Sequence, residues 1–190
     1  MSKEMRDALS EQAQDQYPSL KTGLSNCDTD IVAGDWDLVA YSFQIGFERF
    51  WDLAKADQSG LLDRPLLSVF RQSIELALKS SLMQIDGEIT GNPAHRIKAL
   101  FEQLQQRGKD YGLSLDDELA ENVAELCEGL YEFDPFADRF RYPTNRSGKA
   151  HGGLQVDLDE LYKMHWMVTT WCEGVAVELK EELGISTDSP

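Results

Sequence analysis

The stretch from Asp138 to His151 reads Asp-Arg-Phe-Arg-Tyr-Pro-Thr-Asn-Arg-Ser-Gly-Lys-Ala-His. It sets Arg139, Arg141, Arg146 and Lys149 against a single acid. Arginine forks match phosphate oxygens, and the interleaved Phe140 and Tyr142 offer faces on which bases can stack. His151 adds a group able to give or take a proton near neutral pH. Phosphate or nucleic-acid contact is one chemistry for this stretch. The other is structural, with the arginines folding back to pair with acids elsewhere and stapling the loop down.

A second polar line, Arg71, Glu75 and Lys79, repeats at i, i+4 and i+8. On an exposed helix each such pair contributes only about 0.2–0.5 kcal/mol. This helix is apolar around most of its circumference, so the three charges either occupy a narrow solvated face or lie in a groove. In a groove they need partners or a ligand. The second case predicts a link between Glu75 and one of the arginines of 138–146.

The whole chain opposes anions. Its 190 residues carry 18 Lys and Arg against 34 Asp and Glu, a formal charge of −16. A field of that sign repels nucleic acid and anionic membranes unless a local patch, a basic partner or a second subunit reverses it. The loop 139–151 is where the sequence concentrates such a patch.

Other chemistry is thinly represented. His165 falls on an apolar helical line, as a hydrogen-bonded core histidine does. His95 begins a helix, where the dipole and burial both disfavour its charged form. No histidine pair has metal-binding spacing. Cys27, Cys127 and Cys172 are scattered without a C-x-x-C pair, which argues against a disulfide framework and a zinc site. Neither a metal nor a cofactor is expected. No phosphate-cradling glycine loop and no G-x-S-x-G nucleophile turn is present.

The elements that must position these residues are helical. Trp36, Val39, Phe43, Phe47, Phe50 and Ala54 share one face of a helix that Asp35 can cap and Gly60 follows. A second, central helix runs from about Arg64 to Asp86, with Pro65 in its first turn and a stripe of Leu66, Phe70, Ile74, Leu78, Leu82 and Ile85. Asn92 and Pro93 read as the cap and first turn of a shorter third helix with Ile97, Leu100, Phe101 and Leu104. Ser114 with Asp117 reads as a capping box opening the fourth, whose stripe is Leu119, Val123, Leu126, Leu130 and Phe133. Pro135, Pro143, Gly148, Gly152 and Gly153 forbid a long helix over 134–156, a loop longer than compact domains usually carry without a reason. A final helix over about 157–183 holds Leu158, Leu161, His165, Val168, Cys172, Val175 and Leu179 in line. The expectation is an all-α bundle of four long helices plus one shorter helix, with a long loop before the last. A polar lead-in (1–34) and a short tail (185–190) flank the domain at 35–184. No apolar run approaches the roughly 20 residues that span a bilayer, and residues 1–16 do not resemble a signal peptide, so a cytoplasmic location is expected.

With these residues in place, the chain resembles the HEPN-like family of bacterial helical bundles. Phe70-Arg-Gln-Ser-Ile-Glu-Leu-Ala-Leu-Lys79 is similar to that family's arginine–glutamate–lysine helix. His95-Arg-Ile-Lys-Ala-Leu100 resembles the helix start that follows it. Asp134-Pro135 with Phe140-Arg-Tyr-Pro143 resembles the segment before its last helix. The resemblance spans roughly residues 35–180. It implies a homodimer and a place in a toxin–antitoxin, abortive-infection or other phage-defence system, with a possible partner protein encoded nearby. Two functions follow. One is a binding or assembly module recognising a partner protein, nucleotide or RNA through the loop 139–151, with Arg71, Glu75, Lys79, His95, Arg139, Arg141, Tyr142 and Lys149 around the ligand. The other is a metal-independent endoribonuclease in which Arg146 and His151 form the family's arginine–histidine pair. Here the pair departs from the family by lying among glycines rather than at the final helix. The aromatic-rich first helix independently suggests a surface to bury in a dimer.

Overall fold

The computed structural model describes residues 3–8, 35–91, 96–115, 117–153, 155–182 and 184. Chain contacts divide it into two units, 1–33 and 34–190. In the first unit residues 3–8 are helical and exposed.

The second unit is all-α. Its helices are α1 (Trp36–Ala56), α2 (Asp63–Asp86), α3 (Ile97–Asp110), α4 (Glu118–Phe133) and α5 (Leu158–Glu182). Among the described residues there is no strand, only an isolated bridge between Thr144 and Ala150. No described helix is long and apolar enough to cross a membrane.

Helix α2 is the centre, because its apolar stripe is too wide for one neighbour to cover. Fourteen of its 24 residues are buried, and it packs against α1, α3 and α5. Leu66, Ile74, Leu78 and Leu82 meet Leu100, Leu104, Val123, Val168 and Leu179 in one continuous core. The helix stops where Gly87 takes a left-handed conformation (φ 68°), open to glycine without a side-chain clash, and donates its N–H to Met83 O at 2.9 Å.

Three local expectations change. Helix α4 opens at Asp117 rather than Ser114: the Asp117 carboxylate accepts from Ala120 N–H at 2.7 Å, as an N-cap does. Asp35 precedes α1, but its side chain makes no capping bond. Trp36 and Val39 are exposed, so the buried face of α1 runs through Ala40, Phe47 and Ala54. The Asn92-Pro93 helix start lies outside the described residues.

Candidate functional site

Arg71 and Glu75 of the α2 polar line are buried, and Lys79 is half-buried. Arg71 and Glu75 are 4% and 1% exposed. Glu75 accepts from both neighbours on its helix, Lys79 Nζ at 2.7 Å and Arg71 Nη1 at 3.2 Å. Arg71 Nε also lies 3.2 Å from Asp134 Oδ2, an ion-pair distance without hydrogen-bond alignment, and its Nη2 reaches Asp134 O at 3.4 Å. Burial lowers the Arg71 pKa from its ordinary value, while the Asp134 and Glu75 carboxylates oppose that shift. Among the described residues, the polar line of α2 reaches the start of the long loop through Arg71 and Asp134 rather than through a pair of Glu75 with a loop arginine. Among the described residues, the two carboxylates Glu75 and Asp134 face the two cations Arg71 and Lys79, where a lone buried ion would be costly.

Asp134 then shapes the loop. It caps the end of α4, its N–H reaching Leu130 O at 2.9 Å. Its Oδ1 accepts from the backbone of Asp138 and Arg139 at 2.8 and 3.0 Å. The tight bend places Ala137 at a φ of 56°, rare for a residue with a Cβ. Asp138 O next accepts from the backbone of Arg141 and Tyr142, and Arg64 Nη1 at the start of α2 holds Tyr142 O at 3.0 Å.

Residues 143–151 fold back on themselves. His151 N–H donates to Pro143 O and Asn145 N–H to Lys149 O, at 3.0 and 2.9 Å. Asn145 Oδ1 gathers the N–H groups of Ser147 and Lys149, each at 3.0 Å. Gly148 supplies the positive φ, 80°, that the reversal requires. The turn carries Arg146 and His151 to one carboxylate. Arg146 Nε is 3.8 Å from Asp138 Oδ2, and His151 Nε2 is 3.9 Å from Asp138 Oδ1. His151 Nε2 is buried and has no hydrogen-bond partner among the described residues.

The loop cations take few carboxylate partners. Arg139 stacks its guanidinium 3.7 Å from the Phe133 ring centroid. Arg141 Nε donates to Ala137 O at 2.6 Å. Arg146 lies 4.4 Å over Phe136, with 70% of its side chain exposed. Lys149 is exposed as well. Among the described residues, the carboxylate ion pair formed by these four cations is the long contact of Arg146 with Asp138.

Two of the clefts that border this region reach its exposed cations and His151. One of about 150 Å³ is lined by Arg64, Arg139, Phe140 and His151. The other, about 480 Å³, is lined by Phe136, Asp138, Arg141, Tyr142, Asn145 and Arg146. Phe140 is not available to stack on a ligand, because it is 6% exposed and packs on Phe133 within the core. Tyr142 is 55% exposed. Arg71 lines a small cleft with Asp134, Ala137 and Arg141, which brings the start of the α2 polar line beside one loop cation. His95 lies outside the described residues.

Arg64, Asp134, Phe136 and Asp138 had no assigned role in the sequence. Asp138 stood out as the lone acid of a basic stretch, and Asp134 only as part of the Asp134-Pro135 segment of the resemblance. Cys27 lies outside the described residues. Cys127 and Cys172 are buried, and burial pushes the Cys127 thiol up to about 12. No group of His, Cys, Asp and Glu able to hold a metal occurs among the described residues. Comparisons with protein-family models, with curated proteins and with solved structures return no match.

Proposed function

We propose that this chain is a HEPN-like helical module that binds a phosphate-bearing ligand, RNA or a nucleotide, through the loop 139–151, in a bacterial defence or stress-response system. One observation carries the reading. In a chain with 34 acids, the loop cations Arg139, Arg141, Arg146 and Lys149 turn to carbonyls, rings and solvent, with one carboxylate contact at 3.8 Å. Charges used as staples would lie against the abundant carboxylates. These remain in position to meet an anion that the rest of the surface repels.

The test is anisotropy binding of a fluorescein-labelled single-stranded RNA across a salt series. Wild type should bind at low salt and weaken steeply as salt rises, because phosphate contacts release counterions. Arg141→Ala with Arg146→Ala should abolish most of the binding and flatten the salt slope at an unchanged melting temperature. A double variant that melts early, together with a wild type that binds no RNA or nucleotide, would make the arginines staples and leave a partner-binding module.

The convergence of Arg146 and His151 on Asp138 favours a second reading, a metal-independent endoribonuclease. His151 would accept the 2′-hydroxyl proton as that oxygen attacks the adjacent phosphorus, and Arg146 would hold the phosphate oxygens. The P–O5′ bond breaks as the leaving 5′-oxygen takes a proton from water, giving a 2′,3′-cyclic phosphate and a 5′-hydroxyl. Nε2 faces Asp138, so Nδ1 is the nitrogen left for proton transfer. RNA cleavage in EDTA that disappears in His151→Ala supports this reading; intact RNA with wild type rejects it.

A further inference from the structure

The 480 Å³ cleft beside the turn differs from an ordinary polar surface. Two aromatic rings stand open in it, Phe136 at 54% and Tyr142 at 55% exposure. Each has a guanidinium near its face, Arg146 at 4.4 Å from the Phe136 centroid and Arg141 at 6.0 Å from that of Tyr142. An arginine layered on an aromatic ring forms a flat, cationic platform. Nucleobases stack on such platforms because every base has a π face. Asp138 lies in the same wall. Its carboxylate stands 3.8 Å or more from Arg146 and His151 and accepts no hydrogen bond from the described residues. It therefore keeps lone pairs for the N–H groups on a base edge.

We infer that this cleft is a subsite for one unpaired nucleobase, stacked against the Phe136–Arg146 and Tyr142–Arg141 pairs with its N–H edge toward Asp138. The inference rests on the loop binding a phosphate-bearing ligand, and it narrows that ligand to single-stranded nucleic acid. The cations alone would accept any polyanion. The rings and the carboxylate give a polyphosphate nothing to contact, and bases inside a duplex are already stacked and paired.

The experiment compares three probes by competition: a fluorescein-labelled 12-nucleotide single-stranded RNA, the same sequence as a duplex, and inorganic polyphosphate of matched charge. A 2-aminopurine in the single strand reports stacking through loss of its fluorescence. Single-stranded RNA should bind about 10-fold tighter than either competitor and quench the 2-aminopurine. Phe136→Leu and Tyr142→Leu should each lose about 10-fold in RNA affinity with polyphosphate binding unchanged, and Phe136→Trp should restore it. Both rings are more than half exposed, so the leucine variants should melt as wild type does. Equal binding of RNA and polyphosphate, insensitive to Phe136→Leu, would overturn the base subsite and leave the anion site standing. No binding of any probe would overturn both.

Discussion

Arg71 and Arg146 carry the same group into opposite surroundings. Arg71 lies 4% exposed between Glu75 and Asp134, two carboxylates that are themselves 1% exposed. Arg146 lies over a phenyl ring, with most of its side chain in water and its nearest carboxylate at 3.8 Å. The difference separates what holds the molecule together from what is left to act. Inside, each ion is matched, and removing one leaves another uncompensated in a medium that solvates it poorly. Outside, water screens the charge, and its loss costs the fold little. Asp134 joins the two regions: one oxygen faces Arg71 and the other orders the first turn of the loop.

The comparison is broken most severely by cutting the buried set. Glu75→Ala leaves Arg71 and Lys79 inside with less compensation, and should destabilise the fold by about 3–5 kcal/mol. Asp134→Ala should cost a similar amount and also release the backbone of Asp138 and Arg139. Urea unfolding measures both. A change of a few tenths of a kcal/mol for Glu75→Ala would place the α2 line in solvent.

His165 sharpens the same contrast from the interior side. His165 is 2% exposed, stacked 4.0 Å from Phe47, with Nε2 2.8 Å from Ser73 Oγ. Burial lowers its pKa from 6.5 to about 4. The unfolded chain therefore binds more protons between those values, and stability must fall as pH drops through that window. It should be flat above pH 6.5 on this account and lose about 3 kcal/mol by pH 4. Urea midpoints for wild type and His165→Gln at pH 7 and pH 4.5 isolate the contribution. An equal pH slope in both proteins would assign the acid sensitivity to other groups.

The apolar periodicity of α2 and α5 was enough to place their buried faces, because i, i+3 and i+4 spacing is a local signal. The same spacing showed that Arg71, Glu75 and Lys79 shared a line, and the width of the apolar stripe suggested that the line was enclosed. What could not be read locally was Asp134, 63 residues beyond Arg71, since nothing in a helical period names a partner across such a gap. The loop's basic character was plain in its composition, but the assignment of its rings was not. Phe140 and Tyr142 look equivalent by alternation, yet Asp134 and Ala137 bend the chain so that Phe140 enters the core and Phe136 remains outside. Trp36 and Val39 fail for a related reason: they fit the α1 period, but its first turn meets α2 through the carboxylate of Asp37, which accepts from Ser80 and Gln84 at 2.6 Å. The arginine–histidine spacing of 146 and 151 was visible, while their common contact with Asp138 depends on a reversal that Asn145 and Gly148 complete.

The smallest stability effects test whether the loop arginines themselves divide into two kinds. Arg139 is half-buried, with its guanidinium 3.7 Å from the Phe133 ring and its N–H on Asp134. An alanine there keeps the backbone bond but loses a packed cation–π contact and the burial of the side-chain stem, a cost of about 1 kcal/mol. Arg146 keeps most of its side chain in water and pairs at long range, so Arg146→Ala should move stability by less than about 0.5 kcal/mol. Their effects on anion binding should run in the reverse order, with Arg146→Ala the more damaging because its guanidinium is free to reorient toward a ligand. Paired urea and RNA-binding titrations on the two single variants measure both orders. If Arg146→Ala proves the more destabilising and leaves binding intact, then its contact with Asp138 holds the turn closed. Arg146 would then belong with Arg139 among the residues that hold the loop, and not among those available to a ligand.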